Sequence, residues 1–191
     1  TLGSVSVICT DKTGTITEGK MRVTSIITAD SDIRYHGLSA LPTNRKEYPD
    51  IFKALRIGIL ANDGFLSDSA DKKKERVFVG DTTDIAFLLE GEKFGLSFES
   101  LGQVYHRVDS IPFSSENKYL ASLNEHEGEF VVNIKGAPEK ILEMSNHIDV
   151  QGKITKLTKE KKEYFQKKIY ELAGQGLRVL AVGYKQHDGN K

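Results

Sequence analysis

Three β-rich runs follow one another in the middle of the chain, and this feature constrains the fold more than any other. The runs are Val104–Ile111, Lys118–Asn124 and Glu129–Lys135. Each is rich in β-branched, aromatic or other apolar residues, as strands are. The second and third runs are separated by Glu125–Gly128, a short polar segment that predicts a hairpin turn. The sequence therefore predicts an antiparallel sheet at its centre.

Helical patterns are scattered among these runs. Apolar residues recur at helical spacing after Asp50, and Asn62–Gly64 supplies a stop signal. Asp81 or Thr82 is suited to cap a second helix. Pro138 suits the first position of a third, and Thr158–Ala173 predicts an amphipathic helix ended by glycines. We therefore predict the α+β class, with an antiparallel β-sheet flanked by helices.

Three further runs predict strands on either side of this region. They are Val5–Thr10, which is apolar enough to be buried on both faces, Arg22–Thr28 and Leu177–Tyr184. Residues 29–49 are polar and irregular, and they predict a surface connection.

Composition excludes several classes of function. The 191 residues contain 27 basic and 27 acidic side chains, so the net charge is zero and a general nucleic-acid partner is not expected. The single cysteine, Cys9, excludes an internal disulfide. The longest apolar runs, such as Ile85–Leu89, fall far short of the ~20 residues that cross a bilayer, so direct membrane insertion is not expected.

The polar segment after the first predicted strand carries the strongest chemical signal. Asp11 follows that strand directly, at the end where open α/β sheets bind ligands. A carboxylate there can attack a phosphoryl group and form an acyl phosphate, with Mg²⁺ and a lysine to neutralise charge. Lys12 and the hydroxyl of Thr13 lie beside it. On composition alone, an Asp-initiated turn is the favoured alternative.

The segment Asp11–Thr17, which reads DKTGTIT, resembles the phosphorylation signature of P-type ATPases. The resemblance implies that Asp11 is the aspartate phosphorylated by ATP, that Lys12 and Thr13 complete the catalytic loop, and that Asp11 and Thr13 hold Mg²⁺. Related haloacid-dehalogenase-like phosphatases carry a second acid where this chain has Thr13.

Two further motifs of that family imply an adenine site. Gly80–Ala86 is similar to GDPTExA, whose acid meets the adenine amino group; this assigns that contact to Asp84, although a helix-capping acid is an equal alternative. Thr82 and Asp84 depart from the family's proline and glutamate. Ile111–Lys118 resembles the PFxSxxK segment. It implies a stacking ring and neighbouring polar contacts, from Phe113, Ser114 and Lys118.

Two motifs near the end of the chain imply phosphate contacts. Lys135–Glu139 matches KGAPE at every position, and it places Lys135 and Gly136 against the nucleotide. A plain strand-to-helix turn is the alternative. Gly176–Ala181 resembles GLRxLA, whose arginine, here Arg178, reaches the phosphates. Leu60–Asp63 is a minor match to LCND.

The motif order implies a division of the chain. Residues 1–19 would be a strand and loop of a Rossmann-like, haloacid-dehalogenase-type phosphorylation domain, 20–185 a nucleotide-binding domain, and 186–191 a tail towards the hinge. The motif forms look most like the calcium-pump-like branch.

The resemblance also implies a function and its partners. The chain would be the ATP-binding cytosolic portion of a cation pump, at the cytoplasmic face of a membrane, delivering the γ-phosphate of ATP to Asp11 with Mg²⁺. Its partners would be ATP and the remaining phosphorylation, actuator and transmembrane domains. By itself it would be a monomer that binds nucleotide without turnover.

Two other classes of function stay open at this point. A free-standing haloacid-dehalogenase-like phosphatase would use Asp11 as its nucleophile, but the second acid is missing at Thr13. A non-enzymatic interaction module would use the sheet only as a scaffold, and it predicts no nucleotide binding.

Overall fold

The computed structural model describes residues 20–29, 31–34, 46–67 and 77–187. The first predicted strand, the Asp11 loop and the whole predicted phosphorylation-domain fragment (1–19) lie outside these residues. Within them, α-helices occur together with antiparallel strands, which confirms the mixed helix and antiparallel-sheet class.

The elements follow one another in an irregular order of strands and helices. In chain order they are β1 (Ser25–Ile27), β2 (Asp32–Arg34), α1 (Pro49–Leu60), β3 (Phe65–Leu66), β4 (Phe78–Val79), α2 (Thr82–Lys93), α3 (Phe98–Val104), β5 (His106–Ile111), β6 (Tyr119–His126), β7 (Glu129–Gly136), α4 (Pro138–Met144), β8 (His147–Val150), β9 (Lys153–Lys156), α5 (Lys159–Gly174) and β10 (Ala181–His187).

The central sheet has four antiparallel strands in the order β10-β7-β6-β5. A two-residue turn joins β6 to β7. Its residues, Glu127 and Gly128, both have positive φ, at 52° and 81°, which is the backbone of the hairpin turns that match strand twist. The predicted hairpin is therefore confirmed, with β6 continuing two residues further than the sequence indicated.

Helices cover both faces of this sheet. On one face Ser122 Oγ of β6 donates to the carbonyl of Leu60 at the end of α1, at 3.0 Å. On the other face Gly183 of β10 packs against Ile134 of β7 and Ile141 of α4. The main hydrophobic core lies where α1 meets α2 and the segment that follows α2. Its buried members are Ile51, Phe52, Leu55, Ile59, Leu88, Phe94 and Leu96.

The structure corrects three of the predicted boundaries. Val104 ends α3 and does not begin β5. The helix starts at Phe98 after the Ser97 cap, and at its end the Tyr105 N–H still donates to the Leu101 carbonyl at 2.7 Å. The last strand begins at Ala181 and not at Leu177, and it ends at His187. Of the predicted strand Arg22–Thr28, only Ser25–Ile27 forms a strand, β1, which pairs with β2.

Two hairpins, and the short antiparallel pair of β3 with β4, were missed by the sequence reasoning. β2 lies within residues 29–49, which predicted an irregular connection, and it pairs with β1. β8 and β9 pair around Gln151 and Gly152, whose φ angles of 50° and 80° form a tight turn. The strands of both hairpins have at most four residues, too few to show an alternating pattern.

Among the described residues, no helix is both long enough and apolar enough to cross a membrane. The predicted domain boundaries at residues 19 and 185 stay predictions.

Candidate functional site

Asp84 and Lys135 form the centre of the candidate site. Asp84 Oδ1 and Lys135 Nζ lie 2.6 Å apart, and only 13% and 5% of these side chains are exposed. The two residues are 51 positions apart in sequence. Two of the residues predicted from separate motifs are therefore in direct contact.

The elements around this pair explain its position. Asp84 lies in the first turn of α2, which begins after Asp81, and Asp81 Oδ1 caps the helix by accepting from the Thr83 N–H at 2.8 Å. Lys135 lies on the face of β7 that packs against α1. Its ammonium donates to the Gly58 carbonyl at 3.4 Å and lies 4.9 Å from the centre of the Phe87 ring.

Burial and charge act on the titratable groups here. Burial lowers the pKa of Lys135 below its ordinary value, although the carboxylate of Asp84 opposes that effect. Hydrogen bonds from the hydroxyl and N–H of Thr83 lower the pKa of Asp81, and the charges of Arg178 and Lys135 lower it further. The effect of Arg178 on Asp81 places a positive charge near the first turn of α2. The Arg178 side chain is exposed.

The loop after α1 supports Asp84 from a second side. The backbone N–H of Asp63 donates to Asp84 Oδ2 at 3.3 Å. The buried side chain of Asn62 donates to the backbone carbonyl of Asp84 at 3.1 Å and accepts from the Gly64 N–H at 2.7 Å. Both oxygens of the Asp84 carboxylate therefore have a partner within the protein.

The predicted aromatic contact lies on the loop between β5 and β6. Phe113 is 57% exposed, so it is not a core residue. The turn after it is closed by Ser114, whose Oγ accepts from the Asn117 N–H at 3.0 Å and whose carbonyl accepts from the Lys118 N–H at 2.8 Å. Lys118 has a φ of 61°, an uncommon value for a residue with a side chain.

This loop is joined directly to the turn after β7. The Ala137 N–H donates to the Lys118 carbonyl at 2.8 Å. A Cβ added to Gly136 would lie 2.4 Å from that same carbonyl oxygen, so the close approach of the two segments requires glycine. Gly136 thus has a structural reason to be glycine, independent of any ligand.

Several of the predicted site residues contact one another in the structure, whereas the predicted catalytic residues are not among the described residues. Asp84 contacts Lys135, the Lys118 backbone contacts Gly136, and Arg178 interacts electrostatically with Asp81. Asp11, Lys12 and Thr13 lie outside the described residues, so their roles stay predictions. The sequence reasoning missed Asn62, whose side chain donates to the Asp84 carbonyl, and Arg107 of β5, whose Nη1 lies 3.0 Å from Asp63 Oδ1. The Leu60–Asp63 match was a signal for Asn62, but no pattern marked Arg107.

A cavity of about 530 Å³ lies beside the site, not within it. It is bounded by β1, α1, α4, α5 and β10, with Thr83, Phe87 and Arg178 in its wall; Asp84, Phe113 and Lys118 are not part of that wall. The cavity is therefore separate from the buried pair of Asp84 and Lys135 and from the exposed Phe113 loop.

No metal centre is evident in the described part of the chain, where no three His, Cys, Asp or Glu side chains come close enough to hold an ion. The predicted magnesium ligands, Asp11 and Thr13, lie outside it.

Comparison with known proteins gives one consistent result. The family described as P-type ATPase, cytoplasmic domain N, matches residues 50–191, well over half of the chain. "Calcium-transporting ATPase 1" of Lactococcus lactis subsp. lactis (strain IL1403) is 35% identical over 192 residues, covering 100% of this chain and 20% of that protein. The protein of the same name from Bacillus cereus (strain ATCC 10987 / NRS 248) is 31% identical, covering 99% and 20%.

A relative named for other ions shows a similar identity. "Sodium/potassium-transporting ATPase subunit alpha-A" of Artemia franciscana is 36% identical over 190 residues, covering 94% of this chain and 19% of that protein. The chain therefore spans about a fifth of the length of these relatives.

Proposed function

Since this chain belongs to the P-type ATPase family, as its cytoplasmic domain N, we propose that it is the ATP-binding part of a cation-transporting pump. In the whole protein it would act at the cytoplasmic face of the membrane, together with the remaining phosphorylation, actuator and transmembrane domains. The PFSSxxK and KGAPE motif forms support calcium as the transported ion. The names of two of its relatives agree with this assignment.

The exposed ring of Phe113 is the observation that carries the proposal. With 57% of its side chain exposed, Phe113 leaves apolar ring surface in water. A base stacked on the ring would cover that surface, which is favourable. Its loop is hydrogen-bonded through Lys118 to the turn that follows Lys135. An adenine on Phe113 would then have the Asp84 carboxylate as acceptor for its amino group.

The phosphates need positive charge, and two predicted residues supply it. Lys118 and Arg178 are both exposed cations, whereas Lys135 is buried in its pair with Asp84. We therefore assign the phosphate contacts to Lys118 and Arg178. Lys135 acts on the nucleotide mainly by holding Asp84.

The chemical step would take place at Asp11. A carboxylate oxygen of Asp11 attacks the γ-phosphorus of ATP, the bond from that phosphorus to the β,γ-bridging oxygen breaks, and ADP leaves. Asp11 and Thr13 offer the carboxylate and hydroxyl oxygens that Mg²⁺ prefers and would hold this ion. When bound, the ion would neutralise charge on the transferring oxygens. Lys12 adds a further positive charge.

Titration with ATP, followed by NMR or calorimetry, tests the adenine site. We expect wild type to bind with a dissociation constant of millimolar or lower, and Phe113→Ala to bind at least about fivefold more weakly, because base stacking contributes ~1–3 kcal/mol. Phe65→Ala is the matched control, since Phe65 is exposed to a similar extent, at 54%, on β3. It should bind ATP as wild type does.

Three results would contradict the proposal. The first is a folded wild-type protein that shows no response to ATP, and the second is equal binding of ATP by Phe113→Ala. The third is appreciable magnesium-dependent release of phosphate from a small phosphoester by the chain alone, which would favour a phosphatase.

A further inference from the structure

Arg107 closes the end of helix α1, although it lies on the edge strand β5. Its Nη2 donates to the Leu60 carbonyl at 2.8 Å and also to the Asn62 carbonyl. Its Nη1 lies 3.0 Å from Asp63 Oδ1. The last carbonyls of a helix have no partner inside the helix, and a cation is favourable there. Arg107 therefore restrains residues 60–63 through three contacts.

The same loop restrains Asp84. The N–H of Asp63 donates to Asp84 Oδ2, and the Asn62 side chain donates to the Asp84 carbonyl. On its other oxygen the carboxylate is bound by Lys135. With a donor on each oxygen, the plane of the carboxylate is set.

The Asp84 carboxylate still has capacity to accept. Each carboxylate oxygen can accept about two hydrogen bonds, and the contacts above use one on each. An amino group that approaches in the remaining directions can donate to Asp84 without breaking them. Asp63 and Lys135 fix the orientation of the Asp84 carboxylate. They therefore also fix the directions from which it can accept a further hydrogen bond.

We propose that Arg107 is a positioning residue for base recognition, acting through the loop of Asn62 and Asp63 on the orientation of the Asp84 carboxylate. The inference rests on the proposed function, because it takes the base amino group as the ligand of Asp84. Loss of Arg107 should therefore change the discrimination between adenine and other bases more than it changes the affinity for ATP. Inosine nucleotides carry a carbonyl oxygen in place of the amino group of adenine, so a fixed carboxylate repels them and a mobile one does so less.

The experiment compares ATP with ITP. The ratio of their dissociation constants, ITP over ATP, is measured for wild type, Arg107→Met and Arg107→Lys. We expect the ratio to fall about threefold or more in Arg107→Met, the size of change typical of coupled neighbours. It should partly recover in Arg107→Lys, because an ammonium can still donate to the two carbonyls.

Arg56→Met is the matched control. Arg56 also joins α1 to a neighbouring segment, since its Nη1 donates to Tyr105 Oη at 2.8 Å and its guanidinium lies 5.1 Å from the centre of that ring. It does not contact the loop of Asn62 and Asp63. The ITP to ATP ratio of Arg56→Met should equal that of wild type.

Hydrogen exchange of the Asp63 amide gives a second measurement that needs no nucleotide. We expect faster exchange at Asp63 in Arg107→Met than in Arg56→Met. Unchanged exchange at Asp63, an unchanged ratio, or an equal fall of the ratio in Arg56→Met would each overturn the inference. Failure of the proposed function is distinguishable, because it shows as an absent ATP response in wild type or as indifference to Phe113→Ala.

Discussion

The pair of Asp84 and Lys135 shows how single residues are constrained at this site. Burial disfavours the charged form of Lys135 and lowers its pKa, so the ammonium depends on the adjacent carboxylate and on the Gly58 carbonyl. Removing one partner would leave the other as an uncompensated charge in a largely buried position. The pair therefore fixes the geometry of its surroundings more than it adds to stability.

Gly136→Ala should destabilise the protein. The new Cβ would lie 2.4 Å from the Lys118 carbonyl oxygen and 2.7 Å from Tyr119 Cα, and backbone atoms cannot move aside as a flexible side chain can. We expect the free energy of unfolding to fall by about 1–3 kcal/mol, measured by urea denaturation.

Gly102→Ala is the control for that substitution. Gly102 lies in α3 with nothing within 4 Å of an added Cβ, so alanine there should be neutral or stabilise by up to about 1 kcal/mol. Equal effects of the two substitutions would contradict the steric explanation.

Helix α2 is the element that presents the acid of the site. Its N-terminus is capped by Asp81, and the helix begins at Thr82, so Asp84 comes at the first turn. An acid is favourable there because the N-terminus of a helix carries partial positive charge. The cap thus fixes the start of α2 and with it the position of the Asp84 carboxylate next to Lys135 of β7.

Asp81→Ala should lower the free energy of unfolding by about 1 kcal/mol at pH 7. The pKa of Asp81 is lowered in the folded protein, by Thr83 first and by the nearby cations. A lowered pKa stabilises the fold above the unfolded value of about 4, and that contribution is lost as the pH falls through the folded pKa. The difference between wild type and Asp81→Ala should therefore shrink below pH 4 in urea denaturation.

Ser97→Ala is the control for the charge of the cap. Ser97 caps α3 with a neutral hydroxyl, 3.5 Å from the Ser100 N–H. Its effect should be smaller and independent of pH. An Asp81→Ala difference that stays constant down to pH 2 would show that the charge of the cap is unimportant.

Over the whole molecule, a cluster of three side chains joins helix α1 to the β8–β9 hairpin and to strand β10 of the central sheet. Lys53 of α1 lies 2.5 Å from Asp149 Oδ2 of β8 and donates to Tyr184 Oη of β10 at 2.8 Å, and Tyr184 Oη donates to Asp149 at 3.0 Å. Lys53 Nζ is also 4.1 Å from the centre of the Tyr184 ring. The cluster connects segments 35 to 131 residues apart in sequence.

Asp149→Asn should lower the free energy of unfolding by about 1–2 kcal/mol at neutral pH. Burial by itself would raise the pKa of Asp149, but the hydrogen bonds from Lys53 and Tyr184 outweigh it, so the pKa lies below its ordinary value. The stabilisation is therefore complete above about pH 4 and is lost at lower pH. Urea denaturation of wild type and Asp149→Asn between pH 2 and pH 7 measures it.

Glu143→Gln supplies the comparison for an exposed ion pair. Glu143 lies 3.3 Å from Lys140, with 72% and 41% of the two side chains exposed. Such a pair contributes little, so the free energy of unfolding should change by less than about 0.5 kcal/mol. A comparable loss in both variants would mean that the Lys53 cluster is no more than a surface ion pair.

Local signals were sufficient for much of the architecture. The turn at Glu127 and Gly128, the start of α4 at Pro138 and the end of α1 before Asn62 were all predicted, because caps and turns depend on residues within one turn of the chain. Family membership was also predictable, since a motif such as DKTGTIT is a contiguous string whose order along the chain can be read directly.

Long-range contacts were decided only when the chain folded. The alternation of β7 put Lys135 on one face of the sheet, but only the packing of α1 over that face made it buried and paired it with Asp84. Arg107 reaches Asp63 across 44 residues of sequence, and no periodicity relates the two. Spacing encodes neighbours along one helix or strand, whereas the partner of a buried charge depends on how separate elements pack together.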